Sequence, residues 1–458
     1  MGNKLNKSVA LFVSTLCSFL TPFMGSSVNV ALPSIGKEFG MDAILLSWVT
    51  TAYLLSAAIF LVPFGRIADI YGRKRIFSYG VLIYSIASFF SAICKTGYLL
   101  IYCRVLQGVG GAMIFGTGVA ILISVFPVGE RGKVLGINTA SVYLGLSIGP
   151  FVGGFLVEHF GWRSLFWVNV LLGVVAFIFI IWKLKGEWAE ARGERFDFTG
   201  SIIYAISLIM LMYGFSQLPS KIGLILILCS VLGGWSFIQW EMKNKVPILS
   251  MRLFKGNPVF AFSNLAALIN YSATSASGFL LSLYLQYVKG IGPQNTGLVL
   301  IAQPIIMTVF SPFTGKLSDR IEPRILSSIG MGLTCFGLLL FVFLGKETSL
   351  GFIIFSLSIL GFGFAFFSSP NTNAVMSSVE KKCYGVASAT LGTMRIIGQM
   401  LSMGVAMLLF AVNMGKIQIT PECHLLFLNS MKTAFIIFAV ICFCGIFASL
   451  ARGNIKNK

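Results

Sequence analysis

The stretch that decides the fold is Gly65-Arg66-Ile67-Ala68-Asp69-Ile70-Tyr71-Gly72-Arg73-Lys74-Arg75, a short charged segment between two long apolar runs. Asp69 is its only acidic residue and shares the segment with four cations. A carboxylate in this position can pair with those cations and can accept hydrogen bonds from backbone N–H groups at the start of the next helix. Gly65 and Gly72 allow a tight turn and close helix packing. The segment therefore predicts a polar hinge between two apolar helices.

A weaker copy of this hinge lies 250 positions later, counted from Gly65 to Gly315. It reads Gly315-Lys316-Leu317-Ser318-Asp319-Arg320, with Arg324 close behind, and again separates two apolar runs. The copy keeps a glycine, an acid and flanking cations in the same order. A charged hinge that occurs twice, so far apart, predicts a chain built of two related halves.

The composition excludes a soluble enzyme. Of the 458 residues, 56% are hydrophobic and only 11% are charged, whereas soluble domains carry about 25% charged residues. Apolar stretches long enough to cross a bilayer, about 20 residues each, recur along the whole chain. The nine cysteines are scattered without a C-x-x-C pair, so they indicate neither a disulfide framework nor a zinc site. The sequence predicts an all-α polytopic membrane protein.

Hydropathy predicts fourteen membrane spans, and several connections are short enough to force antiparallel neighbours. The predicted spans are 8–33, 44–65, 76–94, 98–126, 134–158, 164–183, 198–217, 222–240, 259–287, 295–315, 325–345, 350–372, 384–411 and 431–451. Because the number of spans is even, both chain termini are expected on the same side of the membrane.

The distribution of cations predicts the orientation. If both termini are cytoplasmic, the cytoplasmic segments hold 24 of the 34 Lys and Arg residues and the external segments hold eight, while Arg104 and Arg395 fall inside spans. A threefold excess of Lys and Arg on the cytoplasmic side agrees with the positive-inside rule. We therefore expect a protein of the cytoplasmic membrane with both termini in the cytoplasm. This orientation also explains the net charge of +19 without nucleic acid as a partner.

Two polar segments, Lys183–Asp197 and Glu241–Lys255, enclose a pair of spans in the middle of the chain. The resulting layout is six spans, two spans and six spans. It predicts three domains: an N-terminal six-helix bundle over 1–185, a cytoplasmic loop with two linker helices over 186–250, and a C-terminal six-helix bundle over 251–458. Parallel repeats of this kind place the substrate site between the halves, near the middle of the membrane.

The charged hinge resembles the signature loop between the second and third helices of the major facilitator superfamily, which reads roughly G-x-L-a-D-r-x-G-r-k. The six-two-six layout resembles the fourteen-helix drug:proton antiporter branch of that family, which includes multidrug and tetracycline-type efflux transporters. The alternative is a positively charged loop that only fixes the topology. The resemblance implies a conformational or gating role for the hinge residues Gly65, Asp69, Gly72, Arg73, Gly315 and Asp319.

A second motif lies in the fifth span, Gly145-Leu146-Ser147-Ile148-Gly149-Pro150-Phe151-Val152-Gly153-Gly154. Its glycines allow neighbouring helices to pack closely, and Pro150 removes a backbone donor and bends the helix. It is similar to the family's antiporter motif G-x-x-x-G-P-x-x-G-G, which is associated with exporters. The alternative is a generic packing face. The resemblance implies a conformational role for Gly145, Gly149, Pro150, Gly153 and Gly154.

Two spans carry an arginine followed by a glutamine one turn later. Arg104 and Gln107 lie on one face of the fourth span and resemble the family's R-x-x-Q-G motif, while Arg395 and Gln399 form a similar pair in the thirteenth. A charge inside a membrane helix is costly and points to function by default. The alternative for Arg104 is a tether to backbone carbonyls of the first span. If both arginines face the central cavity, it is electropositive and favours anionic, zwitterionic or neutral substrates over multivalent cations.

No acidic residue is predicted near the middle of a span. The first span ends with Val28-Asn29-Val30-Ala31-Leu32-Pro33, similar to the family's V-N-V-A-L-P, but Met24 stands where the fourteen-helix branch commonly has Asp. A proton antiporter normally needs a buried group whose pKa can change, and a carboxylate is the usual choice. If protons drive export, either Asp42, Glu158 or Asp69 titrates at a helix end, or the proton travels with the substrate.

The remaining polar residues inside spans are candidates for contact with the substrate or the coupling ion, and each also fits an interhelical hydrogen bond. The candidate set is Asn29, Tyr53, Arg104, Gln107, Asn270, Gln303, Asn371, Arg395 and Gln399. Neither a phosphate-binding G-x-x-x-x-G-K-[ST] segment nor an H-E-x-x-H zinc motif occurs. We therefore expect no cofactor, no metal and a secondary rather than ATP-driven transporter.

These patterns favour a secondary transporter that exports drugs or small metabolites across the cytoplasmic membrane by proton-coupled antiport. Its expected partners are a small-molecule substrate, membrane lipid and the coupling ion H⁺, without nucleic acid, and the protein is expected to be a monomer. Two alternatives stay open. One is a uniporter or exchanger of a neutral or anionic solute, and the other is a membrane sensor that has the same fold and does not transport.

Overall fold

The computed structural model describes residues 2–244, 246–249, 251–380, 384–415 and 417–453, without the side chains of 2–5, 128, 129, 252 and 319. Within this part of the chain, fourteen helical spans follow one another and are numbered α1–α14. Their bounds are α1 Gly2–Phe39, α2 Ala43–Tyr71, α3 Arg73–Ile93, α4 Gly97–Val125, α5 Val128–Phe160, α6 Arg163–Trp182, α7 Phe198–Gln217, α8 Lys221–Lys243, α9 Pro258–Thr274 and Ala276–Leu283, α10 Pro293–Leu300 and Ala302–Arg320, α11 Pro323–Phe341, α12 Leu350–Ser377, α13 Tyr384–Asn413 and α14 His424–Ala451.

Thirteen of these spans contain a helix long and apolar enough to cross a membrane. The remaining span, α9, departs from the expected single helix over 259–287, because it is interrupted at Ser275 and continues into a π-helical turn, Tyr284–Val288. The backbone N–H of Ala276 donates a hydrogen bond of 2.9 Å to the hydroxyl of Ser402 in α13, and a side chain inserted into the backbone ladder in this way bends a helix. The predicted fourteen-helix membrane fold is confirmed.

The helices form two six-helix halves. In the first half α1 packs on α5, α2 on α4, and α3 on α4 and α6; in the second half α10 packs on α12, α11 on α12 and α14, and α9 on α13 and α14. The halves meet along two helix pairs, α2 with α13 and α5 with α10. The second helix of each half therefore packs on the fifth helix of the other, as expected of two repeats related by a pseudo-twofold axis.

The linker helices α7 and α8 form a hairpin outside this arrangement. They pack on each other, and α7 also lies against α2 and α13. Tyr204 of α7 anchors the hairpin, because its hydroxyl donates 3.0 Å to the backbone carbonyl of Ala58 in α2. Most side chains of α8 are exposed. The domain bounds 1–185, 186–250 and 251–458 stay a prediction.

The bundle has two distinct ends. The hinge end is where α2 ends at Tyr71 and α3 begins at Arg73, and the opposite end is where α1 ends at Phe39 and α2 begins at Ala43. With an even number of spans, the start of α1 and the end of α14 both lie at the hinge end.

Hydrogen bonds between the two halves hold the opposite end together. Gln286 Nε2 of the second half donates 2.9 Å to the carbonyl of Val30, and the N–H of Ala43 donates 3.3 Å to the carbonyl of Ile417. Nearer the middle of the spans, the hydroxyls of Ser147 and Thr308 lie 3.0 Å apart. Among the described residues, the hydrogen bonds between the halves thus lie at the opposite end and in the middle of the bundle. We describe the structure as closed at the opposite end.

Candidate functional site

Only one of the two glycines of the charged hinge forms the turn. Gly72 has φ +120°, a conformation that L residues rarely adopt, and an added Cβ would lie 2.5 Å from the carboxyl carbon of Glu187. Gly65 lies inside α2, and no heavy atom comes within 4 Å of an added Cβ there. The expectation of a turn at Gly65 is therefore wrong, because the apolar helix continues to Tyr71.

Asp69 forms an ion pair with Arg73, which is only 7% exposed. The Asp69 Oδ1 atom lies 2.8 Å from Arg73 Nε and accepts from Nη2 at the same distance. The guanidinium also donates to Glu190 Oε1 at 2.8 Å and to Ser124 Oγ at 2.7 Å. Arg73 therefore joins the end of α2, the end of α4 and the segment that follows α6.

The segment after α6, residues 183–197, is here called the clasp segment because it lies across the hinge. It caps α3: the backbone N–H of Arg73 donates 2.8 Å to the carbonyl of Trp188, and that of Lys74 donates 2.8 Å to Glu187 Oε1. The expectation that Asp69 accepts from the start of α3 is corrected, since the carboxylate of Glu187 occupies that position. Sequence reasoning did not connect the acids of the clasp segment to the cations of the hinge.

Further contacts fasten the clasp segment to the first half. The N–H of Ala191 donates 2.9 Å to the backbone carbonyl of Asp69, and Arg66 forms an ion pair with Glu194. In the second hinge, Gly315 lies inside α10, where an added Cβ would be 3.5 Å from Ser369 Oγ, an ordinary contact. The side chain of Asp319 lies outside the described residues, so its predicted role is not addressed by the structure.

The glycines of the fifth-span motif serve two different contacts. Gly145, Gly149 and Gly153 face α1, where an added Cβ on Gly153 would lie 2.7 Å from the Cβ of Ser27. Gly154 faces the backbone carbonyl of Pro293 in α10, and Gly297 of α10 faces the carbonyl of Pro150. The motif thus brings α5 close to α1 within one half and to α10 across the interface, towards the closed end.

Arg104 is a packed structural residue, with 1% of its surface exposed. Its Nε donates 3.0 Å to the carbonyl of Val49 in α2, and its guanidinium carbon lies 4.5 Å from the centre of the Tyr53 ring. Gln107 accepts a hydrogen bond from Arg104 and donates 2.8 Å to Ser88 Oγ of α3. The geometry agrees with the alternative of a backbone tether, although the carbonyl belongs to α2 and not to the first span.

Arg395 has a different environment from Arg104, because its side chain is half-buried and its Nε donor has no hydrogen-bond partner. Its Nη2 donates 2.7 Å to Thr372 Oγ1 of α12, and its guanidinium carbon lies 5.7 Å from the centre of the Tyr271 ring of α9. Its Nε is buried and has no hydrogen-bond partner. Gln399, one turn further, is half-buried, and no contact of its side chain is described.

Tyr143 and its neighbours place this region between the two halves. The hydroxyl of Tyr143 in α5 lies 3.4 Å from Ser368 Oγ in α12 and so reaches from the first half to the second. Gln303 of α10 is also half-buried. We use the name central cluster for Arg395 with Tyr271 beside it, together with three polar candidates on the interface helices α5, α10 and α13, namely Tyr143, Gln303 and Gln399.

The other candidates lie elsewhere. Asn29 is half-buried at the interface, where its Oδ1 accepts from Thr50 at 3.4 Å. Asn270 is fully buried, and neither atom of its amide has a partner. Asn371 is 1% exposed, and its amide donates 3.1 Å to the carbonyl of Ser263. The structure therefore does not bring Asn371, Tyr53 or Gln107 into the central cluster.

The burial of three charged side chains at the hinge end escaped sequence reasoning. Arg452, 1% exposed, donates to Asn371 Oδ1 at 3.1 Å, and burial lowers the pKa of its guanidinium to about 9. Glu241 and Asp197, both expected in loops, are 2% and 9% exposed. The N–H of Leu249 donates 2.9 Å to Glu241 Oε2. These groups fasten helices at the ends of the spans and lie outside the central cluster.

The chain matches known proteins over nearly its whole length. The sequence model of the Major Facilitator Superfamily matches residues 14–240 and 263–456. The Riboflavin transporter RibZ of Clostridioides difficile (strain 630) is 28% identical over 440 residues, which are 96% of each chain. The Multidrug resistance protein Stp of Mycobacterium tuberculosis (strain ATCC 25618 / H37Rv) is 29% identical over 404 residues, 87% of this chain and 74% of that protein.

A solved structure supports the fold. The bacterial homolog of the human lysosomal transporter Spinster superposes with a TM-score of 0.69 at 16% identity, covering 98% of this chain and 97% of that one. At such low identity the match concerns the fold alone.

Proposed function

Because this chain belongs to the Major Facilitator Superfamily, we propose that it exports drugs or small metabolites across the cytoplasmic membrane by proton-coupled antiport. The protein is a multi-pass membrane transporter of a small molecule and not an enzyme. The direction of transport rests on the fifth-span motif and on similarity to a relative named for multidrug resistance. We propose that it works as a monomer, because each half supplies one side of the pathway.

The observation that carries the proposal is the half-buried guanidinium of Arg395 in α13, the helix of the second half that packs on α2. A guanidinium in a membrane helix is costly to retain, and this one lies beside the ring of Tyr271. Gln399 and Gln303 add polar side chains without described partners. We propose that these five residues, the central cluster, contact the substrate, with Asn29 and Asn270 as further candidates.

The charge of the central cluster indicates the class of substrate. Arg104 is fully buried against Val49, so Arg395 alone supplies a cation there. A single cation in a poorly solvated site attracts an anion strongly and repels a cation. We propose that anionic, zwitterionic and neutral compounds are exported in preference to multivalent cations.

The orientation is proposed from the cations of the loops. We place the hinge end, with the clasp segment and both termini, in the cytoplasm. In a cysteine-free background, an impermeant thiol reagent added to intact cells should label Lys221→Cys at the opposite end and leave Lys133→Cys at the hinge end unlabelled. Both side chains are exposed, so burial does not decide the result. The reverse labelling pattern would overturn the proposed orientation.

The three carboxylates that the sequence offers for the coupling proton stay candidates, and each has a partner in the structure. Asp42 caps α2 by accepting from the N–H of Leu45 at 2.7 Å, and Asp69 is paired with Arg73. Glu158 accepts 2.8 Å from the N–H of Gln294 across the interface. All three carboxylates thus have structural partners, and a proton carried by the substrate itself remains part of the proposal.

The proposed function is tested with purified protein in proteoliposomes. We expect a carboxylate-bearing dye and its uncharged amide to accumulate against their gradients only when a pH gradient is imposed, and accumulation to collapse with a protonophore. A dication of similar size should accumulate less. If the same compounds equilibrate across the membrane without a pH gradient, the protein is a uniporter or exchanger and not an antiporter. Binding of a compound without its transport across the membrane would indicate a membrane sensor with the same fold.

A further inference from the structure

A surface pocket lies at the hinge end of the α7–α8 hairpin, away from the central cluster. Its volume is about 570 Å³, and it opens between the end of the clasp segment and the last turn of α8. Its lining residues are Arg195, Phe196, Asp197, Trp240, Lys243, Asn244 and Val246. We call it the hairpin pocket.

Two exposed cations of the hairpin pocket are free. Within the described part of the chain neither Arg195 nor Lys243 forms an ion pair, whereas Arg66 and Arg73 of the neighbouring hinge are both paired. The carboxylate of Asp197 pairs with neither Arg195 nor Lys243 in the described part of the chain. It accepts hydrogen bonds instead from the N–H of Gly200 at 2.9 Å and from the side chains of Trp240 and Asn244. The rim of the pocket is therefore available to an anion.

The floor of the pocket is built by inward hydrogen bonds to Asp197. Trp240 Nε1 donates 3.0 Å to its Oδ2 atom, and Asn244 Nδ2 donates 2.6 Å to the same atom. Trp240 remains 41% exposed, and the neighbouring Phe198 is 70% exposed. Exposed aromatic rings beside cations at the end of a membrane hairpin are typical of the boundary between lipid tails and headgroups.

An apolar groove lies on the same hairpin, further along α7 and α8 than this pocket. The groove has a volume of about 320 Å³ and lies between α7 and α8. On α8 its lining residues Cys229, Gly233 and Ser236 precede Trp240 and Lys243 of the pocket at spacings of three and four residues. Such spacing places all five on one face of the helix. The charged pocket and the apolar groove thus lie in line along one face of α8.

From this arrangement we propose that the hairpin binds an anionic phospholipid, with its phosphodiester between Arg195 and Lys243 and an acyl chain along the groove. Cations near the membrane surface attract anionic headgroups, and the groove supplies the apolar contact that a soluble phosphate cannot use. The bound lipid would fill the hairpin pocket at the cytoplasmic leaflet. This site is separate from the central cluster and does not depend on which substrate is transported.

The test uses delipidated, purified protein and native mass spectrometry to count bound phosphatidylglycerol. In the double variant Arg195→Gln and Lys243→Gln we expect affinity for this lipid to fall by about tenfold, since two headgroup contacts are lost. The matched control is Arg192→Gln with Lys221→Gln, which removes the same charge at exposed positions outside the pocket. The control should stay within about twofold of the parent protein.

Two further probes separate a lipid site from a general anion site. Phosphatidylcholine, whose headgroup has no net charge, and glycerophosphoglycerol, which has no acyl chains, should each bind about tenfold more weakly than phosphatidylglycerol. Equal loss of binding in both double variants would overturn the proposal, as would full displacement of the lipid by inorganic phosphate. Because no transport is measured, failure here leaves the proposed function untouched.

Discussion

Replacing Arg395 by glutamine should reduce export of a carboxylate dye by about 10- to 100-fold, because a hydrogen bond to a charged group contributes roughly 1.5–3 kcal/mol. Export of the uncharged amide of the same dye should change by less than about threefold, since the amide makes only neutral hydrogen bonds. The measurement is uptake into inside-out membrane vesicles under an imposed pH gradient. The expected loss follows from the half-buried guanidinium of Arg395 and its position beside Tyr271.

Arg104→Gln is the matched control for this prediction. It removes the same charge from a span, but Arg104 is fully buried and bonded to Val49. We expect it to lower thermal stability and to affect both dyes equally. Arg395→Lys should retain part of the preference for the carboxylate, because lysine keeps the charge but loses the planar fork. Equal loss of both dyes in Arg395→Gln would contradict an anion contact at this residue.

Replacing Asp69 by asparagine should slow transport by about tenfold while the substrate affinity stays within about threefold, since removing one member of a partly buried ion pair leaves the other charge poorly compensated. The change preserves the shape of the side chain and leaves Arg73, 7% exposed, with one remaining acidic partner, Glu190. The hinge lies at the end of α2, far from the central cluster. Stopped-flow transport and equilibrium binding separate the two quantities.

The control for Asp69 is Glu130→Gln, at an exposed acid of the same end that pairs with Lys7. Exposed ion pairs contribute little, so its transport rate should remain within about twofold. Glu190→Gln, which removes the other acidic partner of Arg73, should slow transport as Asp69→Asn does. A large loss of affinity in Asp69→Asn with normal exchange between conformations would refute the hinge role.

The fold was predictable because it depends on local features of the sequence. Runs of about 20 apolar residues mark spans without knowledge of their neighbours, and Gly72 marks a turn because its backbone conformation excludes other residues. The break in α9 was not predictable in this way. It depends on Ser402, which lies 126 residues further along the chain and reaches the N–H of Ala276 only after α13 has packed.

The two arginines show how much of the candidate site can be predicted from the sequence. Arg104 and Arg395 have similar sequence patterns, but Arg104 is fully buried against a carbonyl of α2, while Arg395 is half-buried and donates to a hydroxyl of α12. These partners come from other helices, and no local pattern distinguishes them. The pattern therefore predicts that a buried charge matters, and the packing decides which charge is available to a ligand.

Residues near helix ends were the hardest to place. Glu241 and Arg452 follow apolar runs, where hydropathy predicts solvated loops, but both are at most 2% exposed. Their burial depends on partners that are distant in sequence, such as Asn371 for Arg452. The contact of the clasp segment with the hinge was more predictable from the sequence than the burial of Glu241 and Arg452. The acids Glu187 and Glu190 of the clasp segment are opposite in charge to the cations of the hinge.

The position of the linker hairpin makes the two sides of the molecule unequal. It lies against the contact between α2 and α13, whereas within the described residues neither linker helix packs on the pseudo-equivalent contact between α5 and α10. We expect a lipophilic compound dissolved in the bilayer to reach the uncovered contact by lateral diffusion and to meet two additional helices at the other contact. For a substrate that enters from the lipid, we therefore expect one entry side, between α5 and α10, although the two halves are built alike.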